Sequence, residues 1–231
     1  MTDPQGVRYD AAHAAAYDRK IRKLMPGYEV LHETTAFLLA QCLPAGARVL
    51  VVGSGTGEEL LRYAALDPTW QLVGVEPAAP MNEAAREKIV AAGLEARIEL
   101  VEADLGSAAL TGPFDAAVSL LVLHFLPDDG AKSAYLARLA SLLPSGASCL
   151  LADLAACDDP AQQAVLFAAW RSQQLASRRP EAVALDFYHL ANHVYPLAPV
   201  RAGVLLNEAG FDAGQPFFRS FMLEGRWLRR I

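Results

Sequence analysis

From residue 46 onward the chain alternates between short apolar runs and longer stretches of helical spacing. Nearly unbroken apolar runs at Arg48–Val52, Gln71–Val75, 97–101, Ala116–Leu120 and 148–152 predict strands covered on both faces, as parallel strands are. Between them, 57–66, 81–92 and 128–143 read as helices; the last carries Leu136, Leu139 and Leu143 on one stripe and stops at Pro144-Ser145-Gly146. This alternation winds into a parallel sheet with right-handed crossovers, whose ligand sites lie at the carboxyl ends of the strands.

The flanks follow other rhythms. Residues 9–25 read as an alanine-rich helix with a basic end, broken by Pro26-Gly27, and 29–42 as a second helix stopping before Pro44-Ala45-Gly46. After the fifth strand, Asp159-Pro160-Ala161-Gln162 supplies a cap, a proline at the first helical position and a glutamine at the third. Helical segments continue to about residue 210, and 214–226 has the aromatic character of an antiparallel strand pair. The expectation is a doubly wound, Rossmann-like α/β fold with a seven-stranded sheet. It forms one domain over 1–231, with a helical cap from 1–45 and about 155–200, the latter a lid inserted after strand five.

Composition narrows the partners. With 53% hydrophobic and 20% charged residues the chain is globular, and a net charge of −6 offers no attraction for nucleic acid. The basic clusters Arg19-Lys20-Ile21-Arg22-Lys23 and Arg226-Trp227-Leu228-Arg229-Arg230 read as solvated faces or as an anion or partner site. Cys42, Cys149 and Cys157 show no ligand spacing and suit a reducing compartment. The start MTDPQGVRYD lacks signal-peptide order, and the apolar stretch 116–126, interrupted by Ser119 and His124, is too short to span a bilayer. The chain is thus expected in the cytoplasm, acting on a small molecule without nucleic acid or membrane, with a homodimer left open.

The stretch VLVVGSGTGEELL, residues 49–61, carries the candidate chemistry. A Walker loop starting at Gly53 needs glycine where Glu58 stands and lysine where Glu59 stands, and a dinucleotide fingerprint needs its third glycine one position beyond Gly57. Glu58 and Glu59 would also repel a pyrophosphate at the helix start. Glu76 ends the second strand, where a carboxylate can accept both hydroxyl protons of a ribose. Asp104 ends the third strand, and FDAAVS leads from the fourth into LLVLHFL.

In that order, these features resemble the motifs of class I S-adenosylmethionine (SAM) dependent methyltransferases, whose third-strand acid lies against the adenine amino group. The likeness is closest to the carboxy-SAM synthases of tRNA wobble-uridine modification. It runs from Tyr9-Asp10 through Tyr17, Ile21 and Met25-Pro26-Gly27-Tyr28, then Gly53-Ser54-Gly55, Glu76-Pro77 and Asp104-Leu105. It continues with His124-Phe125-Leu126, where that group has Gln-Phe-Leu, and with the tail from Ala209-Gly210-Phe211 to Phe221. The resemblance implies cofactor contacts from Tyr17, Tyr28, Gly53, Ser54, Gly55, Gly57, Glu76, Pro77, Asp104, Leu105 and Leu120. Two positions depart: Leu120 stands for an asparagine, and Leu205 for the arginine that grips the transferred carboxylate, with Arg201 one helical turn earlier.

For catalysis, a methyl acceptor needs alignment and, if it is a hydroxyl or thiol, a base. His124, directly after strand four, is the first candidate, or else a capped or core histidine; Tyr188, Asn192 and Tyr195 follow, with His189 and His193 nearby. The last two are spaced as metal ligands can be, but no third ligand is evident and no metal is expected. Phe125, Phe167, Trp170, Phe187 and Tyr195 read as a pocket wall or as core.

Val51 stands where many such enzymes carry an acid near the cofactor's amino group. Without that charge the ammonium loses its proton more easily. A neutral amine can attack its own γ-carbon, releasing methylthioadenosine and closing azetidine-2-carboxylate, as in the azetidine-2-carboxylate synthases. Valine is equally an ordinary core residue. Methyl transfer to a small molecule therefore comes first, followed by cyclisation of SAM, carboxy-SAM formation and a non-catalytic SAM-binding module.

Overall fold

The computed structural model describes residues 11–231, so Tyr9 and Asp10, where the likeness begins, lie outside the described residues. The chain order is α1 (Ala11–Leu24), α2 (Tyr28–Cys42), β1 (Arg48–Val52), α3 (Glu58–Leu66), β2 (Gln71–Val75), α4 (Ala79–Ala91), β3 (Ile98–Val101) and β4 (Ala116–Leu120). It continues with α5 (Ala131–Ser141), β5 (Ser148–Leu154), α6 (Pro160–Leu175), α7 (Pro180–His193), α8 (Pro199–Glu208), β6 (Gln215–Ser220) and β7 (Leu223–Arg229).

The seven strands form one sheet in the order β3-β2-β1-β4-β5-β7-β6. The first five run parallel, and β7 inserts antiparallel between β5 and β6. Alternate residues of the central strands feed two cores. Val49, Val51, Ala116 and Val118 pack with α1–α4, α6 and α7, while Leu50, Val52, Ala117 and Leu151 pack with α5 and α8. Burial on both faces explains why these strands read as unbroken apolar runs.

Where boundaries differ from the pattern, a specific contact is responsible. Strand β5 runs on to Leu154 because β7 pairs with it, Asp153 opposite Glu224 and Leu154 opposite Leu223. Helix α3 starts at Glu58, since Gly57 is left-handed at φ 86°. Helix α5 starts three residues later than its apolar spacing suggests, because Asp128 turns away to Arg201 and an oxygen of Asp129 accepts the Ala131 N–H. At α6 the Asp159 side chain caps Ala161 as expected, but the glutamine that reaches back is Gln163, to the Cys157 N–H at 3.0 Å, rather than Gln162.

Helices α6 and α7 are fastened to α1. Trp170 donates its indole N–H to the Leu24 carbonyl at 2.9 Å, and Lys20 pairs with Asp186 at 2.9 Å. Phe167, Trp170 and Phe187 meet edge to face, with ring centroids 4.9–6.5 Å apart. Trp170 and Phe187 are buried, so these two are core.

Candidate functional site

The turn between β1 and α3 bends sharply because Gly53, Gly55 and Gly57 all take positive φ, at 70°, 50° and 86°. The N–H groups of Gly53 and Ser54 both donate to the Val75 carbonyl, at 2.8 and 3.2 Å, which presses the turn onto the end of β2. A Cβ on Gly53 would lie 2.3 Å from a Val122 methyl, so no larger residue fits there. At Gly55 the same atom would meet nothing nearer than the Gly53 carbonyl at 3.9 Å, which leaves that peptide open to a ligand's close approach.

Glu76 lies directly beyond β2. One carboxylate oxygen accepts the Gly55 N–H at 3.2 Å and the other the Ala78 N–H at 2.9 Å. Each oxygen keeps a second lone pair. Burial pushes this carboxyl above its ordinary range, and the two backbone donors oppose the rise. Pro77, the next residue, is exposed. Asp104, one strand further, is exposed and accepts the Ser107 hydroxyl at 3.0 Å, while Leu105 is buried beside it. Because β1, β2 and β3 are parallel neighbours, the turn, Glu76 and Asp104 stand in a row along one edge. Two spare lone pairs, an exposed carboxylate and an unobstructed glycine peptide suit an adenosyl ligand.

The first two helices close onto this turn. One Asp18 oxygen accepts the Thr56 hydroxyl, and the other pairs with Lys88 at 2.5 Å. Arg22 joins Glu29 and Glu58, at 2.5 and 2.6 Å, and Arg62 bonds the same two acids. In the first basic cluster, Arg22 and Lys20 are therefore committed to ion pairs rather than left as a free basic face. Tyr17 is half-buried, and Tyr28 is buried with its ring centroid 4.0 Å from that of His32. Leu120 is buried in the core at the end of β4.

Beneath the turn is a polar cluster that sequence reading missed. Glu59 is buried, with one oxygen 3.5 Å from Nδ1 of His32. Both His32 ring nitrogens, the Tyr63 hydroxyl and the Ser54 hydroxyl are buried without a hydrogen-bond partner. Burial raises the Glu59 carboxyl to about 8 and lowers the His32 imidazole to about 4, so both are mainly neutral at pH 7. Val51, only 1% exposed, belongs to the core on this same side of the sheet.

Past β4 the backbone turns over at Leu121, whose φ of 62° is unusual for a branched side chain, and enters a short 3-10 turn, Leu123–Phe125. His124 sits in it, 2% exposed. Its Nδ1 lies 2.7 Å from one oxygen of Asp153, which also accepts the His124 backbone N–H at 3.1 Å. From above, the Tyr195 N–H donates to the His124 carbonyl at 2.7 Å. Asp153 went unread because it lies past the predicted end of β5. Its signal was an acid inside the apolar run LLADL.

The remaining candidates separate. Tyr195 reaches His124 only through its backbone, and its side chain is 42% exposed. Tyr188 is 64% exposed, and the Asn192 amide donates to the Tyr188 carbonyl at 2.7 Å. Helix α7 buries Val183, Phe187 and Leu190 instead, which leaves Tyr188 and Asn192 on its outer side, apart from the His124–Asp153 pair. His189 and His193 stack with centroids 4.8 Å apart, and among the described residues no group of three side chains could hold a metal ion. Arg201 binds Asp128 through two nitrogens, at 2.8 and 2.9 Å, and Leu205 is core.

A family model described as a methyltransferase domain matches residues 49–146. An uncharacterized methyltransferase of Geobacillus sp. (strain WCH70) is 30% identical over 177 residues, covering 76% of this chain and 70% of that protein. A carboxy-S-adenosyl-L-methionine synthase of Campylobacter hominis is 24% identical over 212 residues, 91% of this chain and 89% of that protein. The solved structure of a SAM dependent methyltransferase from Aquifex aeolicus superposes with a TM-score of 0.64 at 18% identity, over 97% of this chain and all of that one, and so shares the fold. Among the described residues no helix is long and apolar enough to cross a membrane. With its strand order, its glycine turn and these relatives, the chain belongs to the class I SAM-dependent methyltransferases, with SAM as cofactor or substrate.

Proposed function

We propose that the protein transfers a methyl group from SAM to a small-molecule acceptor, with His124 as the base. SAM supplies an electrophilic methyl carbon on a positively charged sulfur. On this reading the Gly53-Ser54-Gly55-Thr56-Gly57 turn, Tyr17 and Tyr28 hold its amino-acid end, Glu76 its ribose, and Asp104 and Leu105 its adenine. The observation that carries the base assignment is the 2.7 Å contact between His124 Nδ1 and Asp153. A carboxylate there holds the proton on Nδ1 and leaves Nε2 as the nitrogen able to accept one from a hydroxyl or thiol. Incubating the protein with SAM and a panel of small hydroxyl and thiol compounds, followed by mass spectrometry, tests this. Methylated acceptor plus S-adenosylhomocysteine supports it. If S-adenosylhomocysteine never forms with any acceptor, the proposal fails.

A second reading, cyclisation of SAM itself, is favoured by one observation. Position 51 is apolar core, and Glu59 beneath the turn is held mainly uncharged at neutral pH, so neither carries the fixed negative charge that would stabilise an ammonium. Methylthioadenosine and a cyclic amino acid from SAM alone would establish this reading. A Val51→Asp variant should then lose the activity. Carboxy-SAM formation has less support, since the Arg201 guanidinium is engaged by Asp128. Tight SAM binding without turnover would leave a binding module.

A further inference from the structure

Between β5, β7, α5 and α8 lies a cavity of about 60 Å³ whose polar lining is His124, Lys132, Asp153, Glu224 and Arg226. Lys132 is 1% exposed, which is rare for a lysine. Its ammonium donates to the Leu123 carbonyl, one residue before His124, at 2.6 Å. The second Asp153 oxygen is buried without a hydrogen-bond partner, and Asp153 lines the same cavity. A buried cation and a buried carboxylate at one cavity balance each other's charge.

From this geometry we infer that Lys132 is a positioning residue for His124, fixing the 3-10 turn through the Leu123 carbonyl and offsetting the charge of Asp153. The inference rests on the reading of His124 as the base, but its structural half does not require any acceptor to be known.

The surrounding charges leave this role to Lys132. Glu224 pairs with Arg226 at 2.6 Å and Arg219 at 3.6 Å, both along the terminal hairpin. Asp128 is held by Arg201 from α8. On α5 itself, Tyr135 shares a hydrogen bond of 2.7 Å with Ser119. Lys132 thus faces Asp153 as the nearby cation with no carboxylate bonded to it among these pairs. Burial lowers Lys132 to about 8, while Asp153 and Asp128 hold it up, so its charge is lost within an accessible pH range.

The test follows the 15N signals of the His124 ring and the Lys132 ammonium in the full chain from pH 6 to 10, alongside kcat and KM once an acceptor is in hand. Both signals should step together near pH 8, and kcat should fall across that step. Lys132→Met should lower kcat about tenfold with KM for SAM unchanged, and should abolish the step in the histidine signal. Lys132→Arg, charged throughout, should also abolish it. A histidine step that persists in either variant overturns the inference. So does a wild-type lysine midpoint that does not coincide with a histidine step, a result available even if neither variant folds. A shared step in an enzyme that proves not to use His124 would overturn the base assignment and leave the positioning geometry standing.

Discussion

One oxygen of Asp153 serves His124 twice, through the ring at 2.7 Å and through the backbone N–H at 3.1 Å, so a single carboxylate fixes both the turn and the imbalance between the two ring nitrogens. Asp153→Asn keeps the size, and its amide oxygen can still accept the backbone N–H, but it removes the negative charge that holds the proton on Nδ1. On the proposed function, kcat should fall on the order of 10²-fold, with SAM affinity and melting temperature little changed. An equal loss of SAM affinity, measured calorimetrically, would show that Asp153 serves binding instead.

Glu59 makes a prediction about stability. Its folded carboxyl titrates near 8, above the ordinary 4.5, so the folded state holds this proton more tightly than the unfolded state. The associated stability is complete below pH 4.5 and is lost as pH rises through 8. His32, lowered from 6.5 to about 4, loses its contribution as pH falls across that interval. Glu59→Gln should therefore raise stability at pH 8.5 by on the order of 3 kcal/mol and flatten the alkaline side of the melting curve. Equal melting temperatures for wild type and variant across pH 6–9 would refute the assignment.

At Gly53, added bulk meets two separate penalties, a positive φ and a methyl 2.3 Å away on Val122. Gly53→Ala should destabilise the protein by about 2 kcal/mol. Adding Val122→Ala should recover the steric part and leave the backbone part. Strict additivity of the two substitutions in urea unfolding would show that the clash is relieved some other way.

Glu76 ties the glycine turn to the end of β2 through the Gly55 and Ala78 N–H groups. Glu76→Gln should weaken SAM binding about tenfold or more, the scale of one charge-assisted hydrogen bond. Isothermal titration checks this, and unchanged affinity would remove Glu76 from the ribose assignment.

Much of this was legible in the pattern of residues. β1, β2 and β4 begin and end where their apolar runs do, because these central strands are buried on both faces and nothing else competes for them. The glycine turn, Glu76 and Asp104 were readable because each sits where a strand stops. What stayed hidden depends on partners far along the chain. Asp153 lies in the part of β5 that only β7 extends. Lys132 shares the stripe of Leu136, Leu139 and Leu143, a polar residue at a core position whose meaning needs the cavity. Glu59 likewise precedes Tyr63 by one helical turn on the buried side of α3. Tyr188 and Asn192 were picked for their chemistry, while the spacing of Val183, Phe187 and Leu190 gave the other face of α7 to the core.

The place of β7 has a consequence for synthesis. Asp153 sits on a strand whose outer edge is covered by residues 223–229, and Leu154 pairs with Leu223. A nascent chain emerging from a ribosome can build the glycine turn, Glu76 and Asp104 as soon as β1–β4 are released. It cannot seat the carboxylate that orients His124 until the final hairpin has also emerged. During translation, then, on the proposed function the nucleoside end of the site can assemble first and the proton-handling end last.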